Sequence, residues 1–234
     1  MAAWEAEILF RELQKLDTPT VCNAIEKLDP GRTGVGYTTR PLICGQPHLP
    51  PIIGYARTAT IRAMQPSGLD TEAALQSFMD YYRHIGEKPH PTISVIEDID
   101  PTPGYGAWWG EVHTNMHQGL GSLGVITNGS IRDLDACAEG FQLLAGSIGP
   151  SHAFNHCVEW NIPVTVAGMR VHPGDLIHAD RHGAVVVPVG LADCIPETAK
   201  SIADEESVLI EASQQPGFDI TAVSYTHLTL PTKA

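Results

Sequence analysis

Gly124-Val-Ile-Thr-Asn-Gly-Ser-Ile-Arg-Asp-Leu-Asp135 is the run whose reading decides the fold class. Residues 124–127 form a short apolar stretch suited to a buried strand. Asn128-Gly129 is a turn dipeptide, and a helix is expected to open at Ser130 and fill 131–139. A strand that enters a helix through so short a turn is half of a β/α unit. The same theme stands one step upstream, with a strand at 92–97, a Pro/Gly loop at 98–107 and a helix at 109–119.

Nearer the N-terminus, Trp4, Ile8, Leu9, Leu13 and Leu16 fall near one stripe of a helix over 3–16. Thr18-Pro19 reads as a cap residue followed by proline at the first helical position of a second helix, which runs to about Leu28 and stops at Asp29-Pro30-Gly31. Ile52 to Ala63 alternates as a strand, and Asp70 to about Tyr82 has helical spacing. Beyond the central units the pattern changes to short β runs at 141–145, 163–167, 169–172, 175–179 and 184–188. A final helix is expected over 191–213. Parallel β/α units joined to a β-rich segment predict one layered α/β domain over residues 1–223. The run Ser224-Tyr-Thr-His-Leu-Thr-Leu-Pro-Thr-Lys-Ala234 resembles a peptide translated from adapter DNA, so 224–234 is read as a non-native tail and left out of the fold.

Bulk composition narrows the classes. The 234 residues carry 14 Lys plus Arg against 27 Asp plus Glu, a formal net charge of −13, and no basic run, so nucleic acid is not an expected partner. An anionic substrate would therefore be met by a few placed cations, not by the overall field. The five cysteines, Cys22, Cys44, Cys137, Cys157 and Cys194, are scattered without a CxxC and read as reduced thiols. With neither a signal-peptide pattern at the start nor an apolar run near the ~20 residues of a membrane span, a cytoplasmic protein with no membrane partner is expected.

Two helix starts carry the chemistry. At the first, exposed amides favour an anion, Arg132 can add a bidentate grip on a carboxylate, and Asp133 is a hard oxygen ligand suited to Mg2+ or Mn2+. Ser130-x-x-Asp133 is equally close to a capping box, in which Asp133 closes its own helix. At the second start, Trp108-Trp109-Gly110-Glu111-Val112-His113 follows the loop Pro101-Thr-Pro-Gly-Tyr-Gly106. Should the strands preceding the two helices be neighbours, both N-termini open at one sheet edge and Glu111 faces Arg132. A first-turn glutamate is also favoured simply by the helix dipole.

Gly110-Glu111, then twenty residues, then Arg132-Asp133, set within Gly-Val-Ile-Thr-Asn-Gly-Ser-Ile-Arg-Asp, resembles the RraA-like family, which includes the 4-hydroxy-4-methyl-2-oxoglutarate/4-carboxy-4-hydroxy-2-oxoadipate aldolases. Thr18 to Leu28, Ile53 to Thr60 and Pro173 to Pro188 are similar to further family segments in the same order. The resemblance implies a swivelling-type α/β/β/α sandwich, assembled as a homotrimer or hexamer with its site at a subunit interface. It implies that Arg132 binds a pyruvate-like carboxylate and Asp133 holds the divalent metal. It further implies that Glu111 lies close to the arginine and to metal-bound water, and that the backbone amides of Gly110, Glu111, Val112 and His113 complete the carboxylate pocket. The activity implied is divalent-metal-dependent cleavage of a 4-hydroxy-2-oxo acid to pyruvate, with oxaloacetate decarboxylation. Glu111 stands where these aldolases have Asp. The family's neighbouring-subunit acid could be Glu197, Glu205 or Glu206. The alternative implied by the resemblance is a non-catalytic regulator that binds ribonuclease E or another protein.

Residue chemistry agrees with a metal route. A Schiff-base mechanism needs a lysine in an apolar pocket, and Lys15, Lys27, Lys88, Lys200 and Lys233 all sit in polar contexts. Among the histidines His113 is the one placed to support the site. His152, His156, His178 and His182 lack metal-site spacing and read as ordinary hydrogen-bonding groups. Asp175, Asp180, Arg181 and His182 occupy turn contexts, and Trp108-Trp109 reads as packing or a pocket lid.

Overall fold

The computed structural model describes residues 3–219, with side chains from Glu7 onward. The side chain of Trp4, together with the run 224–234 and its Lys233, lies outside the described residues. In chain order the elements are α1 (Ala3–Leu13), α2 (Thr18–Leu28), β1 (Ile43–Cys44), β2 (Ile52–Arg62), α3 (Thr71–Ile85), β3 (Thr92–Asp98), β4 (Ala107–Trp109), α4 (Glu111–Gly119) and β5 (Ser122–Thr127). Then come β6 (Ser130–Ile131), β7 (Gln142–Ala145), β8 (Ser147–Ile148), β9 (His156–Trp160), β10 (Val164–Val166), β11 (Met169–Val171), β12 (Leu176–Asp180), β13 (Gly183–Val187) and α5 (Ile195–Ser213).

The main sheet runs β1-β7-β5-β3-β2-β12-β13, with β9 paired to the far half of β2. Its centre, β2-β3-β5-β7, is parallel, as the β/α reading requires, and its flanks are antiparallel. Both faces of this centre are covered, so nearly every residue of 52–61 and 92–96 is buried, including the polar Arg57, Thr58 and Thr60 of a stretch that reads as alternating. On one face Ala59, Ile61, Ile96, Val125 and Leu143 pack with Tyr81, Tyr82 and Ile85 of α3 and with Trp108, Trp109 and Phe141. On the other, Ile52, Ala56, Ile93, Val95, Ile126 and Leu144 pack with the β10–β11 hairpin. Helices α1, α2 and α5 form a separate layer over β12 and β13 through Leu13, Val21, Ile25, Leu176, Val185 and Ile195. This is a mixed α/β architecture with a parallel sheet centre, as the β/α pattern of the sequence predicts.

Two local expectations are corrected. The cap of α2 is Asp17, not Thr18: Asp17 Oδ1 accepts from Thr20 N–H at 2.9 Å, which moves Pro19 one place further into the helix. Thr18 is instead spent on tertiary contacts. Its hydroxyl donates to buried His178 Nδ1 at 3.0 Å, and its N–H donates to Asp180 at 3.0 Å. The other imidazole nitrogen of His178 donates to the carbonyls of Leu13 and Leu16, each at 3.1 Å, so this histidine joins α1 and α2 to β12.

The larger correction concerns 131–139, which is not a helix. Ser130 and Ile131 continue as β6, the middle strand of a small parallel sheet β4-β6-β8. Ile131 is fully buried in the first core, and Ser130 is buried as well. Tertiary pairing and burial outweigh the local helical signal here.

Asp17→Ala should lower unfolding free energy by about 1 kcal/mol, the usual cost of losing a helix N-cap. Denaturant melts at neutral pH would measure it. Thr18→Ala should cost at least as much, because it strips the partner from buried His178.

Candidate active site

The two turns that frame the site come from neighbouring parallel strands. After β3, the loop to β4 is clasped by Asn128, whose amide accepts from Asp98 N–H at 2.8 Å and donates to the Asp98 carbonyl at 2.9 Å. Gly104, at φ +83°, turns the loop and donates its N–H to Asp98 at 2.7 Å. Asn128-Gly129 is thus a turn, as its composition indicated, and it also holds the end of β3. Strand β4 then brings Gly110 and the start of α4 alongside β6, and Arg132 N–H donates to the Trp109 carbonyl at 2.8 Å. The two chemistry-bearing segments meet through that bond.

Asp133 breaks the strand. It takes φ +54°, a left-handed conformation costly for a residue with a Cβ, and its carbonyl accepts from Ala136 N–H at 2.8 Å and Cys137 N–H at 3.0 Å. This turn replaces the expected capping box: among the described residues, buried Ser130 Oγ has no hydrogen-bond partner and caps nothing. The Asp133 carboxylate instead swings to the first turn of α4, where Glu111 N–H lies 3.4 Å from Oδ2. Arg132 Nε lies 3.4 Å from the same oxygen but out of hydrogen-bonding alignment, and this buried Nε has no hydrogen-bond partner among the described residues.

The corner holds four further features. Gly110 caps α4 without any side-chain acceptor, and among the described residues the N–H groups of Val112 and His113 have no protein acceptor. They are therefore free donors at the positive end of the helix dipole. Gly110 is buried against Asp133: a Cβ there would stand 2.5 Å from Oδ2 and 3.1 Å from Arg132 Cγ. The Glu111 and Val112 side chains are exposed. His113 is half-buried, its Nδ1 joined to the Tyr82 hydroxyl and its ring 4.6 Å from that of Trp108.

Burial, with the Arg132 charge adding to it, pushes His113 down to about 4; burial pushes His117 down to about 3. Both imidazoles are neutral at pH 7. His117 Nδ1 donates to the His113 carbonyl at 2.6 Å, so its Nε2 accepts from Tyr81 at 2.8 Å. Behind the cation of Arg132 there is thus a packed, uncharged wall, in which Trp108 and Trp109 are buried strand residues and not a lid. Tyr81 and Tyr82, which help to build that wall, had no sequence signal beyond helical spacing.

The remaining sequence candidates lie in other contexts. Glu205 is ion-paired to Lys27 at 2.6 Å on α5, a helix that packs with α2. His182 contacts Asp180 at 3.1 Å, and Asp175 accepts from His172 N–H at 2.7 Å, the local backbone roles that turn residues suggest. His152 and His156 lie by the backbone carbonyls of Ala153 and Phe154. Among the described residues no group of three or more His, Cys, Asp or Glu side chains is gathered for a metal. A divalent ion at Asp133 would lean on water and on substrate oxygens, as Mg2+ commonly does. The part-exposed carboxylate suits that role, while the neighbouring Arg132 Nε, without an acceptor among the described residues, suits an anionic substrate.

The chain belongs to the RraA-like family: the family model described as Aldolase/RraA matches residues 18–186. A relative from Halalkalibacterium halodurans, provisionally named 4-hydroxy-4-methyl-2-oxoglutarate aldolase, is 28% identical over 207 residues, covering 87% of this chain and 88% of its own. An uncharacterised protein of Pseudomonas syringae pv. tomato superposes with a TM-score of 0.67 at 23% identity, over 90% of this chain and 91% of that one. Streptomyces coelicolor RraAS2, described as an unusual member of the RNase ES inhibitor RraA protein family, superposes at 0.63 with 24% identity, over 86% and 94%. At these identities the two superpositions establish the fold.

Gly110→Ala should leave the melting temperature nearly unchanged but displace the Asp133 carboxylate. Should Asp133 hold a divalent ion, affinity for Mn2+, read by titration, is expected to fall about tenfold or more, the scale of loss when a group that orients a metal ligand is changed. The folded state holds His117 neutral, whereas the unfolded chain protonates it near pH 6.5. Stability is therefore present above that pH and lost as pH falls from about 6.5 towards about 3. Between pH 7 and pH 5 this one group should cost on the order of 2 kcal/mol in denaturant unfolding, and His117→Gln should flatten that slope.

Proposed function

We propose that this protein is a divalent-metal-dependent pyruvate aldolase that cleaves a 4-hydroxy-2-oxo acid to pyruvate and also decarboxylates oxaloacetate. The observation that supports this best is the corner itself: a guanidinium whose buried Nε has no hydrogen-bonding acceptor among the described residues, two free helix-start amides and a carboxylate within one short span. Family membership and the relative named for this chemistry point the same way.

In this reading the substrate carboxylate lies between Arg132 and the amides of Val112 and His113. Charge-assisted hydrogen bonds and the helix dipole act together there. Asp133 would hold the divalent ion, Mg2+ or Mn2+, which supplies Lewis-acid polarisation of the 2-oxo group. Glu111, exposed at the first residue of α4, is the group assigned to take the proton of the 4-hydroxyl. The C3–C4 bond then breaks, its electron pair passes into the pyruvate enolate, and C4 leaves as a carbonyl. Return of that proton to C3 completes pyruvate. In oxaloacetate the bond that breaks is the one to the departing carboxylate, with CO2 as the product.

Assembly as a homotrimer or hexamer is part of this proposal. In the single chain the Arg132 and Asp133 side chains are 32% and 40% exposed, more open than a site that must exclude water from an enolate. Light scattering on the purified protein checks it.

The deciding experiment is pyruvate release from 4-hydroxy-4-methyl-2-oxoglutarate and from oxaloacetate, with Mg2+ or Mn2+ and again with EDTA. Metal-dependent pyruvate is expected, and Arg132→Ala should lower kcat/KM by roughly 10²–10³, the usual loss when one anion-stabilising donor is removed. Pyruvate release that is insensitive to EDTA would remove the metal from the mechanism. No release from either substrate would favour a protein-binding regulator that uses the same fold.

A further inference from the structure

Hydrogen bonds to β4 and α4 hold the segment that begins with the Arg132–Asp133 turn, and at its far end Gln118 Nε2 of α4 donates to the Glu139 carbonyl at 2.8 Å. Before that end, Arg132 N–H donates to the Trp109 carbonyl at 2.8 Å, Glu111 N–H approaches Asp133 Oδ2 at 3.4 Å, and Ala138 N–H donates to Thr114 Oγ1 at 2.9 Å. The first of these three is purely backbone, and the second uses a residue of the site. The third depends on a side chain outside the site. Thr114 is fully buried, and its hydroxyl also donates to the Gly110 carbonyl at 2.9 Å, with the Glu111 carbonyl at 3.1 Å.

One hydroxyl therefore spends its proton on the first turn of α4 and its lone pair on the far end of the turn that Asp133 begins. The link runs on to Arg132 itself, because Cys137, next to Ala138, donates its thiol to the Arg132 carbonyl at 3.4 Å. A helical threonine that bonds back to a carbonyl one turn earlier is routine and local. Accepting from a residue 24 positions later is not local. That bond leaves Ala138 N–H satisfied in the core, where an unpaired donor would be costly.

We infer that Thr114 is a positioning residue, setting the distance between the Arg132–Asp133 pair and the open amides of α4. The inference rests on the aldolase reading of that corner. It deepens it by naming the side chain that keeps the two halves of the carboxylate site in register. Thr114 does not touch substrate. Its effect is on geometry, and reactions that depend on oriented groups lose rate steeply with small displacements.

The test compares Thr114→Val, which keeps the shape and removes the hydroxyl, with Thr114→Ser, which keeps the hydroxyl and removes the methyl. Each purified protein is assayed for metal-dependent pyruvate release and titrated with pyruvate by calorimetry in Mg2+. Thr114→Val should lose on the order of ten- to a hundred-fold in kcat/KM and bind pyruvate more weakly, at an unchanged circular dichroism spectrum. Thr114→Ser should stay within about threefold of the unmodified protein on both readouts, since the positioning bonds survive. Should Thr114→Val fail to fold, Thr114→Ala against Thr114→Ser isolates the hydroxyl in its place. Equal losses in the serine and alanine proteins would assign the effect to volume and overturn the inference, and so would full activity and binding in Thr114→Val. An unmodified protein that neither cleaves these acids nor binds pyruvate fails earlier. That outcome contradicts the aldolase reading and the inference together, whereas the variant comparisons contradict the inference alone.

Discussion

The pairing of β4 with β6 is the constraint on which the rest of the site depends. It is a two-residue parallel ladder extended by a single further bond, from Arg132 N–H to the Trp109 carbonyl. Parallel pairing demands that both strands run towards the same edge, so the segments leaving their C-terminal ends emerge together. Strand β4 leads into Gly110 and the bare N-terminus of α4. Strand β6 leads into Arg132 and Asp133. The buried bulk of Trp109 and Ile131 makes this small sheet part of the main core, which gives the ladder a rigidity that so few hydrogen bonds could not supply alone.

The electrostatics of the site depend on that packing. A chain with a net charge of −13 must present a local cation to hold an anionic substrate. The candidate is one guanidinium, Arg132, backed by neutral groups. Tyr81, Tyr82, His113 and His117 form a hydrogen-bonded wall, and burial keeps both imidazoles uncharged, so this wall neither competes with Arg132 as a cation nor quenches it as an anion. Among the described residues Asp133 is the acid in contact with Arg132, at 3.4 Å and out of hydrogen-bonding alignment. A bound metal would draw on that same carboxylate.

Much of this arrangement was legible in the residues. The parallel centre of the sheet came from apolar runs alternating with helical ones, and treating the preceding strands as neighbours brought the start of α4 to the Arg132–Asp133 turn, where the contact is from the Glu111 backbone N–H to Asp133 and only one of the two expected helix starts exists. Helix periodicity misread 131–139, because nothing local announces that Ser130 and Ile131 will be claimed by β4 and β8. The capping-box spacing at Ser130-x-x-Asp133 is real in sequence, and tertiary pairing overrides it. Asp17, not Thr18, caps α2 because a buried histidine 160 residues away takes the threonine hydroxyl. Thr114 was invisible for the same reason: its role depends on a partner 24 residues later, in a turn whose local sequence favours a helix. Long-range hydrogen bonds of this kind are what a single sequence does not display.

Everything proposed for the site requires that the free amides of α4 and the Arg132 guanidinium bind one carboxylate together. Backbone amide chemical shifts in a 15N-labelled sample, followed as pyruvate is added in the presence of Mg2+, put that requirement to the test. Joint binding predicts shifts concentrated at Glu111, Val112 and His113 and at Arg132 and Asp133, which disappear in Arg132→Ala. Shifts confined to another surface, such as the groove lined by Phe10, His90 and Leu123, would contradict it, as would shifts at α4 that persist without Arg132.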